Sequence, residues 1–273
     1  MTDRYAVFGH PIAHSKSPLI HGLFAQATGQ ALEYTAIEAP LEGFRDTLLA
    51  FRAAGGRGAN VTLPFKLQAF ELATHPSEAA RMAGAANALK FDGERILAEN
   101  FDGMGLVNDL QRNLGVALAG KRVLLCGAGG ATRGAILPIA AEKPALMAVA
   151  NRTAAKAHAL QADFANHLAL HTGGYEDLGG MTFDVVINAT STGLSQDRLP
   201  LPPDVFARDA LAYDMVYGKG LTPFLQQATE AGVDRLADGV GMLVEQAAEA
   251  FVWWRGVRPD TRTVIDRLTV PLT

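Results

Sequence analysis

The sequence predicts an α/β protein of two domains, the second a Rossmann-type doubly wound parallel sheet. Three observations lead there. Short apolar runs alternate with helix-compatible segments over residues 121–237, as strands joined by crossover helices do. One run, Val123-Leu124-Leu125-Cys126, passes through Gly127-Ala128-Gly129-Gly130-Ala131 into a helix-compatible segment over 131–141. The 273 residues are 49% hydrophobic, enough apolar content for one large or two ordinary domains.

Composition excludes several classes. Charged residues are 19%, the net charge is −4, and no basic stripe or Lys/Arg block offers itself to nucleic acid. The first residues lack the charged start and apolar core of a signal peptide, and no stretch approaches the ~20 apolar residues of a membrane span. The single cysteine, Cys126, reads as a small core residue and fits a reducing, cytoplasmic setting.

From the N-terminus, a strand is expected at 5–8, stopping at Gly9-His10-Pro11. A helix over 19–27 follows, ending near Gly29, with Ser17 as N-cap and Pro18 in its first turn. Capping does not explain the second hydroxyl, Ser15; two hydroxyls at a helix start also suit a small carboxylate. His10, His14 and His21 lack metal-ligand spacing and read as packing or surface residues; no metal site is expected. A strand at 32–37 and an amphipathic helix over 41–54 follow. The next strand ends near Leu63, and Pro64 opens a helix with Lys66 in its first turn. A cation is misplaced there. It is either a solvated lysine or one whose pKa is lowered by dipole and desolvation for proton exchange near neutrality. A short helix over 77–83 leads to a hairpin turning at Asp92-Gly93, and then to Asn100-Phe101-Asp102-Gly103. Asp102 reads as the N-cap of a helix over 104–114 that joins the two domains.

The glycine turn between strand and helix makes a phosphate cradle, because glycine admits close approach and the helix start offers free N–H groups. Thr132 takes the third glycine position of the dinucleotide fingerprint, so the next strand decides the cofactor. That strand, 145–150, ends in Asn151-Arg152-Thr153, with Lys156 close behind, where an NAD site carries an acidic residue. A guanidinium and an ammonium around a hydroxyl suit a 2′-phosphate, so NADP is preferred to NAD. A helix over 153–167 follows. Beyond it, a strand at 183–187 runs into Asn188-Ala189-Thr190-Ser191-Thr192-Gly193, and one at 211–214 into Met215-Val216-Tyr217. Both deliver polar residues to carboxyl ends of parallel strands, where ligands sit. Helices starting at Thr222-Pro223 and at Asp238-Gly239-Val240-Gly241 complete the chain, the second carrying Gln246.

These stretches together resemble the shikimate dehydrogenase family. The carriers are SKSP at 15–18, NVTLPFK at 60–66, AGAAN at 83–87, NFDG at 100–103 and GAGGA at 127–131. NRT at 151–153, NATSTG at 188–193, DMVY at 214–217, TPFL at 222–225 and ADGVGMLVEQA at 237–247 continue in the same order. The resemblance implies reversible NADP(H)-dependent reduction of 3-dehydroshikimate to shikimate, towards aromatic amino acids. It places Ser15 and Ser17 on the substrate carboxylate with Tyr217 nearby, and Thr62, Lys66, Asn87, Asp102 and Gln246 at the ring hydroxyls. Lys66 and Asp102 would be the catalytic pair, with the working base left open between them. Gly127, Ala128, Gly129, Gly130 and Ala131 would cradle the pyrophosphate. Asn151, Arg152, Thr153 and Lys156 would take the adenosine phosphate end, and Thr190, Ser191, Met215 and Gly239 the nicotinamide half, with Glu78 a further candidate. The implied architecture is a substrate domain of residues 1–102 plus 238–273, an NADP domain of 103–237 and a cleft between them. The implied protein is a cytoplasmic monomer or homodimer with neither nucleic acid nor membrane as partner.

The sequence departs from the family pattern at Phe101, where threonine is common, at Ala86 and Ala88, and at His10. Phe101 removes a hydroxyl beside the reacting group and bears on substrate affinity or preference. Two rival readings are an NAD-using quinate/shikimate dehydrogenase and a non-catalytic binder of shikimate-like acids that regulates a partner.

Overall fold

Each of two units of the chain is built on its own six-stranded sheet. The computed structural model describes residues 2–190, 198–218 and 220–272. The first unit comprises Met1–Gly105 and Val244–Val264, the second Leu106–Leu243 and Ile265–Thr273.

In the first unit, β1 (Asp3–Gly9), α1 (Ser17–Thr28), β2 (Leu32–Glu38), α2 (Phe44–Ala53) and β3 (Gly56–Val61) alternate, and the three strands pair in parallel with β1 central. Next come α3 (Lys66–Leu72), a two-residue β4 (His75–Pro76), α4 (Glu78–Ala83) and the antiparallel hairpin β5 (Ala88–Asp92) and β6 (Arg95–Glu99). The hairpin turns through Gly93 at φ 56°, a conformation glycine adopts without strain. The sheet order is β2-β1-β3-β5-β6-β4. Phe8, Phe44, Phe51 and Phe65 fill one core cluster. Tyr5, Phe101 and Trp254 anchor another.

His21 on α1 is buried in the first unit, stacked on Tyr34 at 4.2 Å between ring centres. Its Nε2 lies 3.1 Å from Asn60 Oδ1, an acceptor, so the proton sits on Nε2. Burial, only partly offset by Asn60, depresses its pKa from the ordinary 6.5 to about 3. The unfolded chain therefore takes up this proton first as the pH falls. The stability contribution of a neutral His21 is complete above pH 6.5 and is lost progressively towards pH 3, at about 1.4 kcal/mol per pH unit. His21→Gln keeps a donor for Asn60 but does not titrate. Urea unfolding should show the native chain losing about 2 kcal/mol more than this variant between pH 8 and pH 5. Parallel pH profiles for the two would contradict a neutral buried imidazole.

The second unit is parallel throughout: β7 (Arg122–Cys126), α6 (Gly130–Ala141), β8 (Leu146–Ala150), α7 (Ala154–Phe164), β9 (His171–Gly173), β10 (Phe183–Asn188), β11 (Phe206–Asp214), α8 (Pro223–Glu230) and β12 (Arg235–Asp238). The order β12-β11-β10-β7-β8-β9 is that of the doubly wound dinucleotide fold and reverses direction between β7 and β10. Its central strands are almost wholly apolar because helices cover both faces. Cys126 is a free, fully buried thiol in this core.

Several local expectations change. Helix α1 starts at Ser17 with Lys16 in the N-cap position and Pro18 in its first turn, so Ser17 is not the cap; Ser15 Oγ, just before it, accepts the Ser17 N–H at 3.3 Å. Strand β3 ends at Val61, short of Leu63, and α2 starts at Phe44 because a turn closes first, from Gly43 N–H to Pro40 O. Asp102 is the first residue of α5 (Asp102–Asn108), and Asn100 Oδ1 receives its N–H at 3.1 Å. The helix then widens into a π-helical turn, Asp109–Asn113, around buried Asp109, whose carboxylate accepts the Tyr213 hydroxyl at 2.8 Å. Helix α7 stops at Phe164, short of 167. The units change over within α5, after Gly105, and within α9 (Val240–Arg255), after Leu243. Residues 265–273 group with the second unit, where Leu272 packs on its core.

Candidate active site

Helix α3 begins at Lys66, placed by the Thr62 to Phe65 turn that follows β3. Its Nζ donates to Asp102 Oδ2 at 2.6 Å, and the two side chains remain 28% and 17% exposed, open enough to meet a ligand. The carboxylate offsets the cost of placing a cation at a helix start. Asn87, just before β5, is 2% exposed and fixes the other carboxylate oxygen, donating from Nδ2 to Asp102 Oδ1 at 2.8 Å. Asn87 Oδ1 accepts the Phe101 N–H at 2.9 Å, which settles the orientation of the amide. Its Nδ2 also donates to Gln246 Oε1 at 3.2 Å. Four of the candidate substrate residues, Lys66, Asp102, Asn87 and Gln246, thus form one hydrogen-bonded group within the first unit.

Phe101 contributes only its backbone to this group. Its ring is 7% exposed and packs edge-on to Trp253 at 5.8 Å, with Tyr5 and Trp254 in the same cluster. The side chain is therefore taken up in packing within the first unit.

A residue outside the sequence-based set joins the candidates. Asn60, on β3 and 6% exposed, donates from Nδ2 to Asn87 O at 3.1 Å and accepts the Tyr34 hydroxyl at 2.7 Å on Oδ1. A hydrogen bond from Ser17 bears on the same phenol, whose pKa burial pushes well up. Tyr34 is thus linked through Asn60 to Asn87. Asn100, buried, holds the Asp102 N–H. The available signal was an amide inside or at the end of an otherwise apolar strand. Thr62 is half-buried after β3 with its N–H on Phe8 O. Glu78, exposed at the start of α4, belongs to the first unit, unlike the other cofactor candidates.

In the second unit, Gly127 leaves β7 at φ 106°, and a Cβ there would stand 2.8 Å from Thr190 Cγ2. Thr132, buried, donates its hydroxyl to Gly127 O at 2.7 Å, which explains a threonine in the third glycine position. Gly129 and Gly130 are exposed, and a Cβ on either would meet nothing within 4 Å. Ala128 and Ala131 are half-buried beside them, so open backbone and the first N–H groups of α6 face outward together. Asn151 follows β8, its N–H on Gly173 O and its Nδ2 on Thr153 O at 2.9 Å. Arg152, Thr153 and Lys156 are exposed around the start of α7.

Thr190 follows β10, and both its N–H and its hydroxyl donate to Asn188 Oδ1, at 3.0 and 2.6 Å. Met215 follows β11 with its N–H on Asn188 O at 3.0 Å. A Cβ on Gly239 would lie 2.3 Å from Met215 O, a close approach that only glycine allows. Thr190, Met215 and Gly239 therefore converge at the carboxyl edge, beside the reversal between β7 and β10. Tyr217 is 40% exposed in the turn after β11. Ser191 lies outside the described residues. The second unit's residues fit a dinucleotide with a 2′-phosphate: open glycine backbone at a helix start, two exposed cations past the next strand, no acidic side chain at 151–153. Among the described residues no helix is long and apolar enough to cross a membrane.

Comparison with known proteins accords with this geometry. Residues 7–89 match the family model of the shikimate dehydrogenase substrate binding domain, 109–195 that of shikimate/quinate 5-dehydrogenase, and 239–269 that of the shikimate 5′-dehydrogenase C-terminal domain. A shikimate dehydrogenase (NADP(+)) of Dechloromonas aromatica is 56% identical over 272 residues, covering 100% of this chain and 99% of that one. An Ael1 enzyme from Pseudomonas putida, known from its crystal structure, is 61% identical with a TM-score of 0.97, covering 100% of both chains. Shikimate 5-dehydrogenase from Thermus thermophilus, solved in complex with NADP(H) and shikimate, is 33% identical with a TM-score of 0.85, covering 97% of this chain and 98% of that one. The chain belongs to the shikimate dehydrogenase family.

Proposed function

We propose that the protein catalyses the reversible, NADPH-dependent reduction of 3-dehydroshikimate to shikimate, in the cytoplasm, as a monomer or homodimer. The observation that carries this reading is the Lys66–Asp102 pair at 2.6 Å, braced by Asn87. Reducing a ketone requires a hydride at carbon and a proton at oxygen; bound NADPH supplies the hydride. Lys66 gives an Nζ proton to the developing alkoxide as the C–H bond forms, and takes it back from the hydroxyl in the reverse direction. Asp102 holds the ammonium on one oxygen and is itself held by Asn87 on the other, so neither partner must reorganise when the substrate arrives. Ser15 and Ser17 bind the ring carboxylate with Tyr217 nearby, and Thr62, Asn87 and Gln246 bind the ring hydroxyls.

The residues 127–131 cradle the pyrophosphate. Asn151, Arg152, Thr153 and Lys156 hold the adenosine end with its 2′-phosphate. Thr190, Ser191, Met215 and Gly239 flank the nicotinamide half, with Glu78 a further cofactor residue. Initial-rate kinetics with shikimate and quinate against NADP and NAD test the reading. We expect the highest kcat/KM for shikimate with NADP. Preference for NAD with quinate would assign the alternative dehydrogenase. Binding of shikimate without turnover would mark a non-catalytic binder.

A further inference from the structure

The carboxyl edge of the second sheet carries a side-chain network centred on residues that are neither catalytic nor cofactor candidates. Asn188, Asp214 and Asp238 end three neighbouring strands and stand in register with one another. The first two are fully buried. Asp214 Oδ1 accepts from Asn188 Nδ2 at 3.1 Å and from the Val216 N–H at 3.0 Å. Its Oδ2 accepts the Thr222 hydroxyl at 2.6 Å, and Thr222 in turn caps α8 by accepting the Leu225 N–H. Asn188 uses its other amide atom, Oδ1, for both bonds from Thr190. One carboxylate therefore ties three pieces of backbone together: the turn holding Thr190, the turn holding Met215 and Val216, and the start of α8.

A buried carboxylate is expensive unless its oxygens are satisfied, and here three donors satisfy them. Burial pushes the Asp214 carboxyl up, while its three hydrogen bonds pull it back. A cap for α8 alone would need only Thr222. The bonds to Asn188 and Val216 serve the two turns, and Gly239, packed on Met215 O, is seated by the same backbone.

We propose that Asp214 is a positioning residue for the nicotinamide half of the cofactor, acting through Asn188 on Thr190 and through the Val216 N–H on Met215. This rests on the assignment of Thr190 and Met215 to that half. The adenosine end, around Arg152, lies beyond β8, and none of these hydrogen bonds reaches it, so the two ends should respond separately.

The test is Asp214→Asn, which keeps the shape but cannot accept from all three donors, with Asn188→Ala as a second variant. We expect kcat to fall on the order of 10- to 100-fold, as misplacement of reacting groups does. The deuterium isotope effect with NADPH labelled at the transferred hydrogen should rise. The dissociation constant of 2′,5′-ADP, measured by calorimetry, should stay within about twofold, because that probe lacks the nicotinamide. Equal weakening of 2′,5′-ADP would reduce Asp214 to a structural residue of the unit and overturn the proposal, as would unchanged kcat and isotope effect in both variants. Failure of the unsubstituted protein to bind 2′,5′-ADP would instead overturn the cofactor assignment beneath it.

Discussion

Lys66→Ala should lower kcat by about 10²–10⁴-fold, the usual contribution of a positioned general acid. The substitution removes the proton donor and leaves Asp102 hydrogen-bonded to Asn87 without its cation. Substrate affinity should change much less, since Gln246 and the Ser15 and Ser17 hydroxyls proposed for the substrate carboxylate are untouched. The expected signature is therefore a loss in kcat with a dissociation constant for shikimate within a few-fold of the unsubstituted protein. Lys66→Arg should recover little, because a guanidinium keeps the charge but does not release its proton. A variant that retains near-normal kcat while only KM rises would show that Lys66 binds substrate without moving the proton.

The ingredients of this pair were legible in the sequence, but their meeting was not. Lys66 stood out because a cation at a helix start is electrostatically misplaced. Asp102 read equally well as a helix cap, since a carboxylate followed by a helix is the ordinary capping pattern. What separates the readings is a contact across 36 residues, which no local pattern encodes. Asn100 took the local role and left Asp102 free for the lysine.

Periodicity served best where burial was complete. The strands β7, β8 and β10 are built around apolar runs of three to five residues because helices cover both faces, and the hairpin at Gly93 is announced by its turn dipeptide. The edge strands β4 and β9 went unseen. They have two and three residues, and an edge position asks for no apolar run. The hydrogen bonds of Asn60, Asn188 and Asp214 escaped for a related reason. The sequence brings Asn188 and Asp214 to strand ends, but only the register shows which ends are neighbours.

Arg152→Asp should lower kcat/KM for NADPH by roughly 10²-fold while leaving that for NADH unchanged or higher. Losing a hydrogen bond to a charged group costs about 1.5–3 kcal/mol, and the new carboxylate adds repulsion against a 2′-phosphate. The same carboxylate can accept from a bare ribose 2′-hydroxyl, as the acidic residue of NAD sites does. Folding should not be the casualty. Arg152 is exposed just before Thr153 and α7, and an acidic residue at a helix start is favourable by about 0.3–1 kcal/mol. Lys156→Ala should shift selectivity in the same direction by less, since an exposed single ammonium makes no bidentate contact with phosphate. Because the readout is a ratio of two cofactors on one protein, general damage cancels. Equal loss with NADPH and NADH would mean that Arg152 does not read the phosphate, and the preference for NADP would have to come from elsewhere in the unit.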